Sequence, residues 1–401
     1  MEKTDRSSVL KYVICTAASI PLGVVIGAID TVFGKGLLWI SQFRSDHIFW
    51  LVPFLAFAGV LIVWSYARFG KGTAGGMGLV FSAGHGELDA IPLRLVPFVI
   101  VSTWLTHLFG GSAGREGVAV QIGATLSHWV GRRLPYEDSP RILLISGIAA
   151  GFSGLFRTPI AAVLFAMEVL TAGRLAWTAL VPAMTASFAA CGTSQLLGLE
   201  KFTFALSGEV SLSALLFGKL VLLGLVFGLV GGVFTRLLHG VKSYFAKRMK
   251  NPLLRVLTVG ALLSVILLLL HRGRYCGLGT NLISDSLSGN AVYGYDWLCK
   301  LVLTVVTLAA GFQGGEVTPL FSIGASLGAV IAFFAGMPIA LSAALGYAAV
   351  FGSATNTLLA PVLIGGEVFG FAYLPYFFIV CAVAYAVNGD RSIYALQKVE
   401  R

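Results

Sequence analysis

An all-α protein that crosses a membrane many times is the fold class this sequence predicts, and three observations predict it. The chain of 401 residues is 57% hydrophobic and only 11% charged, whereas roughly a quarter of the residues in a soluble domain are charged. Its mean hydropathy is +0.87, more apolar surface than a soluble chain can hide. The apolar runs are continuous rather than alternating with period two, which excludes a membrane β-barrel.

In order, those runs lie at 9–34, 48–69, 91–109, 117–134, 141–155, 158–172, 175–197, 211–240, 252–271, 296–312, 319–335, 339–353, 357–371 and 373–387. The first follows a basic lead but has no small-residue cleavage site, and Pro21 and Asp30 come after it. It reads as a first membrane helix rather than a removed signal. Several later runs fall short of the roughly 20 residues needed to cross a bilayer. Glycine and proline interrupt the chain at Gly75-Gly76-Met77-Gly78, at 110–117 and at 311–319. Irregular backbone at membrane depth survives only where it is buried in protein or lines a cavity, so these breaks point at a transported substrate. Hydrophilic linker is scarce, and no soluble regulatory domain is expected.

With 28 Lys+Arg against 18 Asp+Glu, the formal charge is +10. Nucleic acid is not the partner this implies. The basic residues form short blocks between apolar runs (Lys3/Arg6/Lys11, Arg132/Arg133, Lys242/Lys247/Arg248/Lys250, Lys398/Arg401), the pattern of loops held on the cytoplasmic side. Both termini are therefore expected there. The five cysteines (Cys15, Cys191, Cys276, Cys299, Cys381) are scattered singly and read as small buried hydrophobes. His85-Gly86-Glu87-Leu88-Asp89 offers ligand residue types without further ligands, so neither a metal site nor a cofactor is expected. An intramembrane enzyme is disfavoured, because the chain lacks a Ser/His pair in a G-x-S-x-G-like setting, an Asp-rich diphosphate motif and an H-E-x-x-H pair.

The chain repeats itself. Gly147–Val169 lies over Gly346–Val368 with ten of 23 positions identical, Phe152/Phe351, Thr158/Thr357 and Glu168/Glu367 among them. Upstream, 114–127 lies over 315–328, with Ile-Gly-Ala matching at 122–124 and 323–325. Two blocks in the same order divide the chain into halves, 1–205 and 206–401, that meet near 205–215. Transporters built this way place their ion site between the halves, where broken helices present their ends.

The charged pair inside Gly110-Gly111-Ser112-Ala113-Gly114-Arg115-Glu116-Gly117-Val118 is the leading candidate. An ionisable residue at membrane depth reads as functional, and the stretch from Val118 reads as a helix. Glu116 then sits on the lip of a helix N-terminus, the geometry of an anion site that can gate itself. The plainer reading is a helix-cap carboxylate. Glu316 aligns with Arg115 on the repeat and precedes Val317, which favours the ion path over a surface-loop role. Glu168 and Glu367 are repeat-equivalent and suggest a shared structural task, bonding loose helix-end amides. Met77, between glycines, suits either packing or a pore lining, and Tyr394 either an interfacial anchor or a side chain turned back into the protein.

These motifs, taken together, resemble the CLC family of chloride channels and chloride/proton antiporters across essentially the whole membrane domain. Gly114-Arg115-Glu116-Gly117-Val118 resembles the family segment G-K/R-E-G-P, whose glutamate is the gate. Gly315-Glu316-Val317-Thr318-Pro319 falls where the family has G-x-F-x-P, and Gly76-Met77-Gly78-Leu79 where it has G-S-G-I-P. Tyr394 falls where a tyrosine hydroxyl caps the inner side of the anion site. The resemblance implies two inverted repeats, a homodimer with a pathway in each subunit, and a lipid-embedded protein of the bacterial plasma membrane.

The departures narrow this further. Met77 stands for the serine that would touch a central chloride, Val118 follows the gate in place of proline, Glu316 and Thr318 replace apolar or small residues, and Val169 occupies the position of the inner proton glutamate. This set resembles the bacterial branch of the family that exports fluoride in exchange for protons; a chloride or general halide channel or antiporter is the alternative. The resemblance makes Glu116 the gate and proton acceptor and Glu316 a proton relay or part of the ion path. It places Met77, Gly117, Val118, Val317, Thr318 and Tyr394 on the anion. Fluoride is small, hard and tightly hydrated, so its site must replace water with short, strong donors. The amides after Glu116 and around Val317–Phe321, with the Thr318 and Tyr394 hydroxyls, are the candidates.

Overall fold

A computed structural model describes residues 2–207 and 212–400, with side chains from Val9 onward. Along the described residues run the helices α1 (Glu2–Asp46), α2 (Ile48–Leu51), α3 (Leu55–Phe69), α4 (Met77–Gly84), α5 (Leu95–Leu108), α6 (Glu116–Gly131), α7 (Ser139–Phe156), α8 (Pro159–Glu168) and α9 (Leu180–Leu196). The second half contains α10 (Ala214–Arg248), α11 (Pro252–Leu269), α12 (Thr280–Ser288), α13 (Asp296–Ala310), α14 (Val317–Ala335), α15 (Ile339–Thr355), α16 (Leu359–Phe369) and α17 (Leu374–Asn388). A two-residue strand, β1 (Thr171–Ala172), pairs in parallel with β2 (Lys398–Val399). Among the described residues, seven helical segments are long and apolar enough to cross a membrane, while α5, α8, α15 and α16 are shorter. The expected junction near 205–215 includes 208–211, which lie outside the described residues.

Each apolar run became a helix, with three differences. The short helices α4 and α12 are additional; α4 lies where glycines had suggested only a break. The helix after the Gly-rich segment begins at Glu116 rather than Val118, because the glutamate takes the first-turn position that a helix dipole favours for an acid. Finally, Lys242, Lys247 and Arg248 are not loop residues but the last turns of α10. Long basic side chains keep their heads in water from a helix that overshoots its apolar run.

Reciprocal contacts tie the halves together. The Glu168 carboxylate, at the end of α8, accepts from the amides of Leu358, Leu359 and Ala360 at the start of α16 (3.2, 3.1 and 2.8 Å). Its repeat mate Glu367, on α16, accepts from Ile160 and Ala161 at the start of α8 (3.2 and 2.8 Å). Each helix thus caps the orphan donors of the other. The tightest packings also recur. A Cβ on Gly123 would strike the Gly147 carbonyl where α6 crosses α7, and one on Gly324 would strike Gly346 where α14 crosses α15. Only glycine lets the backbones come this close.

The two Gly-rich breaks meet in the middle. Gly114 and Gly315 form an isolated antiparallel pair, with Gly114 N donating to Gly315 O at 2.6 Å and Gly315 N to Gly114 O at 2.8 Å. From that pair α6 and α14 run apart in opposite senses, as inverted repeats require. Their positive N-terminal ends face a common centre.

Candidate functional site

Glu116 is fully buried and its side chain folds back across the centre toward α14. One carboxylate oxygen, Oε2, accepts from the Thr318 amide (2.9 Å) and from the Arg115 amide (3.1 Å). The other, Oε1, accepts from the Thr318 hydroxyl, and Arg115 Nε stands 3.8 Å away. The carboxylate therefore serves as an N-cap for α14 while lying at the N-terminus of α6, in the field of both helix dipoles. Donors this well placed would hold a small anion equally well.

The remaining expected residues fall into two groups. Val118 and Val317 are buried in the first turns of α6 and α14, beside the Glu116–Thr318 contact. The Val118 amide donates to Arg115 O at 3.2 Å. That bond lies within the first turn of α6. Met77, Gly117, Glu316 and Tyr394 instead line a cavity of about 750 Å³ on the other side of the crossing. A Cβ on Gly117 would lie 3.8 Å from Glu316 Oε2 and 3.9 Å from Met77 Cγ. The glycine leaves that cleft open between the acid and the thioether.

Tyr394 turns inward, as one of its two readings required. The C-terminal tail is drawn into the protein by Ile393 N to Ala354 O (2.8 Å) and by Gln397 Nε2 to Val169 O (2.9 Å) and Thr355 O (3.0 Å). Val169, which stands where the resemblance expects an inner proton glutamate, is fully buried beneath this tail. The Tyr394 ring packs on Phe81 of α4 at 5.0 Å between centroids. Two further contacts join the tail to the end of α4: His85 Nε2 to Leu396 O (3.1 Å) and Lys398 Nζ to Glu87 Oε1 (2.8 Å). Burial pushes the His85 imidazole down from its ordinary value, which favours the neutral ring with its proton on Nε2. The Lys398 ammonium holds the Glu87 carboxyl below the usual carboxylate range. The His85–Asp89 segment is thus a latch for the tail. Among the described residues no cluster could hold a metal.

The segment before Glu116 is held from behind by cations that sequence reasoning missed. Lys300, fully buried in α13, donates to Ser112 Oγ (2.9 Å), Tyr275 O (3.1 Å) and Gly277 O (2.6 Å). Arg44 Nη1 donates to His107 O (2.8 Å), and His107 Nε2 lies 2.9 Å from Ala113 O. A lysine inside the apolar run 296–312 was the available signal, since charge at membrane depth has a reason. Gln121 was also missed; it lines the inner cavity and donates from Nε2 to Gly117 O at 2.9 Å.

A fully buried carboxylate bridging two helix N-termini, with a cavity behind it, can exchange places with an anion and release its hold when protonated. Comparison with known proteins places the chain in a family. The family model for voltage-gated chloride channels matches residues 58–389. A chloride/fluoride channel protein of Pseudomonas syringae pv. tomato (strain ATCC BAA-871 / DC3000) is 36% identical over 388 residues, 94% of this chain and 85% of that protein. A crystal structure of a CLC-type fluoride/proton antiporter superposes with a TM-score of 0.95 at 53% identity, covering 97% of this chain and 98% of that one. A slow cyanobacterial Cl−/H+ antiporter shares the fold at 21% identity, with a TM-score of 0.83 and coverage of 95% and 96%.

Proposed function

This chain belongs to the family of voltage-gated chloride channels, and we propose that it is a fluoride/proton antiporter that exports fluoride across the bacterial plasma membrane. The observation that carries the reading is the Glu116 carboxylate seated on the Thr318 amide and hydroxyl. Those two donors, one from backbone and one from a side chain, form a compact hard-anion seat with a proton-accepting group in direct competition for it. Protonation neutralises Glu116, frees both donors and lets the side chain leave; fluoride then takes the seat. Similarity to a CLC-type fluoride/proton antiporter and to a chloride/fluoride channel protein supports this choice over chloride exchange.

Glu316 acts as the proton relay toward the cytoplasm. It is the only acid among the described residues lining the inner cavity, and Val169 supplies no carboxylate at the inner position. The protein resides in the bacterial plasma membrane with both termini in the cytoplasm and works as a homodimer, one pathway per subunit. Crosslinking in detergent that trapped only monomer, alongside full transport, would count against the dimer.

Selectivity supplies the direct test. Reconstituted in liposomes, the protein should move fluoride at least about ten-fold faster than chloride, since a charge-assisted donor that suits fluoride is worth about 1.5–3 kcal/mol. Met77 contributes no hydroxyl at the cavity wall, so Met77→Ser should raise chloride flux and narrow that ratio several-fold. Equal wild-type fluxes of the two halides would reduce the assignment to a general halide transporter.

A further inference from the structure

We propose that the membrane face at the C-terminal end of α1 carries a binding site for a phosphate group, and that a phospholipid headgroup supplies it. A cavity of about 570 Å³ opens there between α1, the segment 271–279 and the start of α12. Three guanidiniums line it, those of Arg44, Arg272 and Arg274. Asp285 is the one acid in its lining among the described residues, and Arg274 already holds it, Nη1 to Oδ2 at 3.3 Å. Asp296 occupies a second side of the same guanidinium at 2.9 Å. Two positive charges are left without a counter-charge. Arg44 is 7% exposed; its Nη1 donates to His107 O, while its buried Nε has no hydrogen-bond partner. Arg272 is exposed and makes no hydrogen bond or salt bridge among the described residues. It sits at φ 50°, ψ 51°, directly after His271 at φ 51°. Two successive non-glycine residues in the left-handed region are costly, and strain of this kind gathers where a side chain is used.

A helix end completes the site. α12 starts at Thr280 after the left-handed Gly279, with no side-chain cap and no acid in its first turn. Gly279, Thr280 and Asn281 line the cavity, so the positive end of α12 meets the free guanidiniums. Planar forks converging with uncapped amides suit the several oxygens of a phosphate better than a single halide ion. The cavity is separate from the halide seat. Arg115, Glu116 and Thr318 do not line it, and behind Gly277 the buried Lys300 ammonium is bonded to Tyr275 O, Gly277 O and Ser112 Oγ. Trp39 and Trp50, 66% and 78% exposed on α1 and α2, mark this level as the membrane interface, where aromatic side chains gather at headgroup depth. Lipid phosphates are concentrated at that depth, which favours them over the free ion.

The test titrates the full-length protein in detergent with dioleoyl phosphatidylglycerol or dioleoyl phosphatidylcholine and reads bound lipid by native mass spectrometry. Phosphatidylglycerol should bind more tightly, because its headgroup brings no ammonium of its own into a basic cavity. Arg272→Gln should weaken its binding about ten-fold, and Arg272→Lys should recover part of the loss. Thr280→Asp, which sets a carboxylate on the first turn of α12, should abolish it. Both side chains are exposed, so these variants should fold, and wild-type fluoride efflux would confirm it. Inorganic phosphate added in a separate arm should displace the lipid. Phosphate bound in an Arg272-dependent way with no lipid retained would overturn the lipid as the source while upholding the site. Equal phosphatidylglycerol occupancy in wild type, Arg272→Gln and Thr280→Asp, with no Arg272-dependent binding of phosphate, would overturn the site itself.

Discussion

Glu116→Gln is expected to abolish proton movement entirely, leaving the proton signal of loaded liposomes equal to that of empty ones. The carboxylate holds three donors, the Thr318 amide and hydroxyl and the Arg115 amide, and it can let them go only by taking a proton. Glutamine is neutral at every pH, so it has no charged state with which to hold the seat and no proton to deliver. Its amide also turns an NH2 donor toward a Thr318 hydroxyl that was itself donating, which weakens the closed position. Glu316→Gln is the companion measurement. It should depress proton flux strongly while fluoride binding at the Thr318 seat persists, because Glu316 lines the cavity and its carboxylate is not among the hydrogen-bond partners of that seat. Proton uptake against a fluoride gradient in Glu116→Gln would show that the gate is not the proton acceptor.

The repeat explains why so much of this site was legible in sequence. A duplicated Glu168/Glu367 pair had to do something symmetrical, and reciprocal capping of α16 and α8 is what each carboxylate does. The Gly-framed charges at 114–117 and 315–316 had to be central because both copies broke their helices at the same register. What stayed illegible depends on contacts between residues distant in sequence. Nothing local to Lys300 tells that its ammonium reaches Ser112, 188 positions away, and so braces the segment in front of the gate. Likewise, Lys242 reads as one more cytoplasmic charge until α10 is seen to run past its apolar stretch and turn that residue toward Glu316. The Val118 amide shows the same dependence on tertiary detail. A helix N-terminus was correctly read, but which of its amides remain available depends on where the first turn closes, and it closes on Arg115 O.

Removing the Thr318 hydroxyl should have the next largest effect, and in an unusual direction. Thr318→Val keeps the shape and the backbone amide but deletes one of the two donors that α14 presents to the seat. Burial of Thr318 leaves little room for a substitute water. A hydrogen bond to a charged partner is worth about 1.5–3 kcal/mol, so fluoride flux at sub-saturating concentration should fall roughly 10- to 100-fold. Chloride, larger and less tightly hydrated, depends less on a short donor, and its flux should change less. The fluoride-to-chloride ratio should therefore collapse. The gate loses the same bond, since the hydroxyl also holds the Glu116 carboxylate, so the closed position weakens and uncoupled leak should rise. Thr318→Ser restores the donor and should recover both selectivity and coupling. Parallel electrode measurements of fluoride and chloride efflux from the same liposome preparation would show this pattern. An unchanged fluoride-to-chloride ratio in Thr318→Val would mean that the Thr318 hydroxyl serves the gate carboxylate alone and that anion selectivity is set elsewhere along the path.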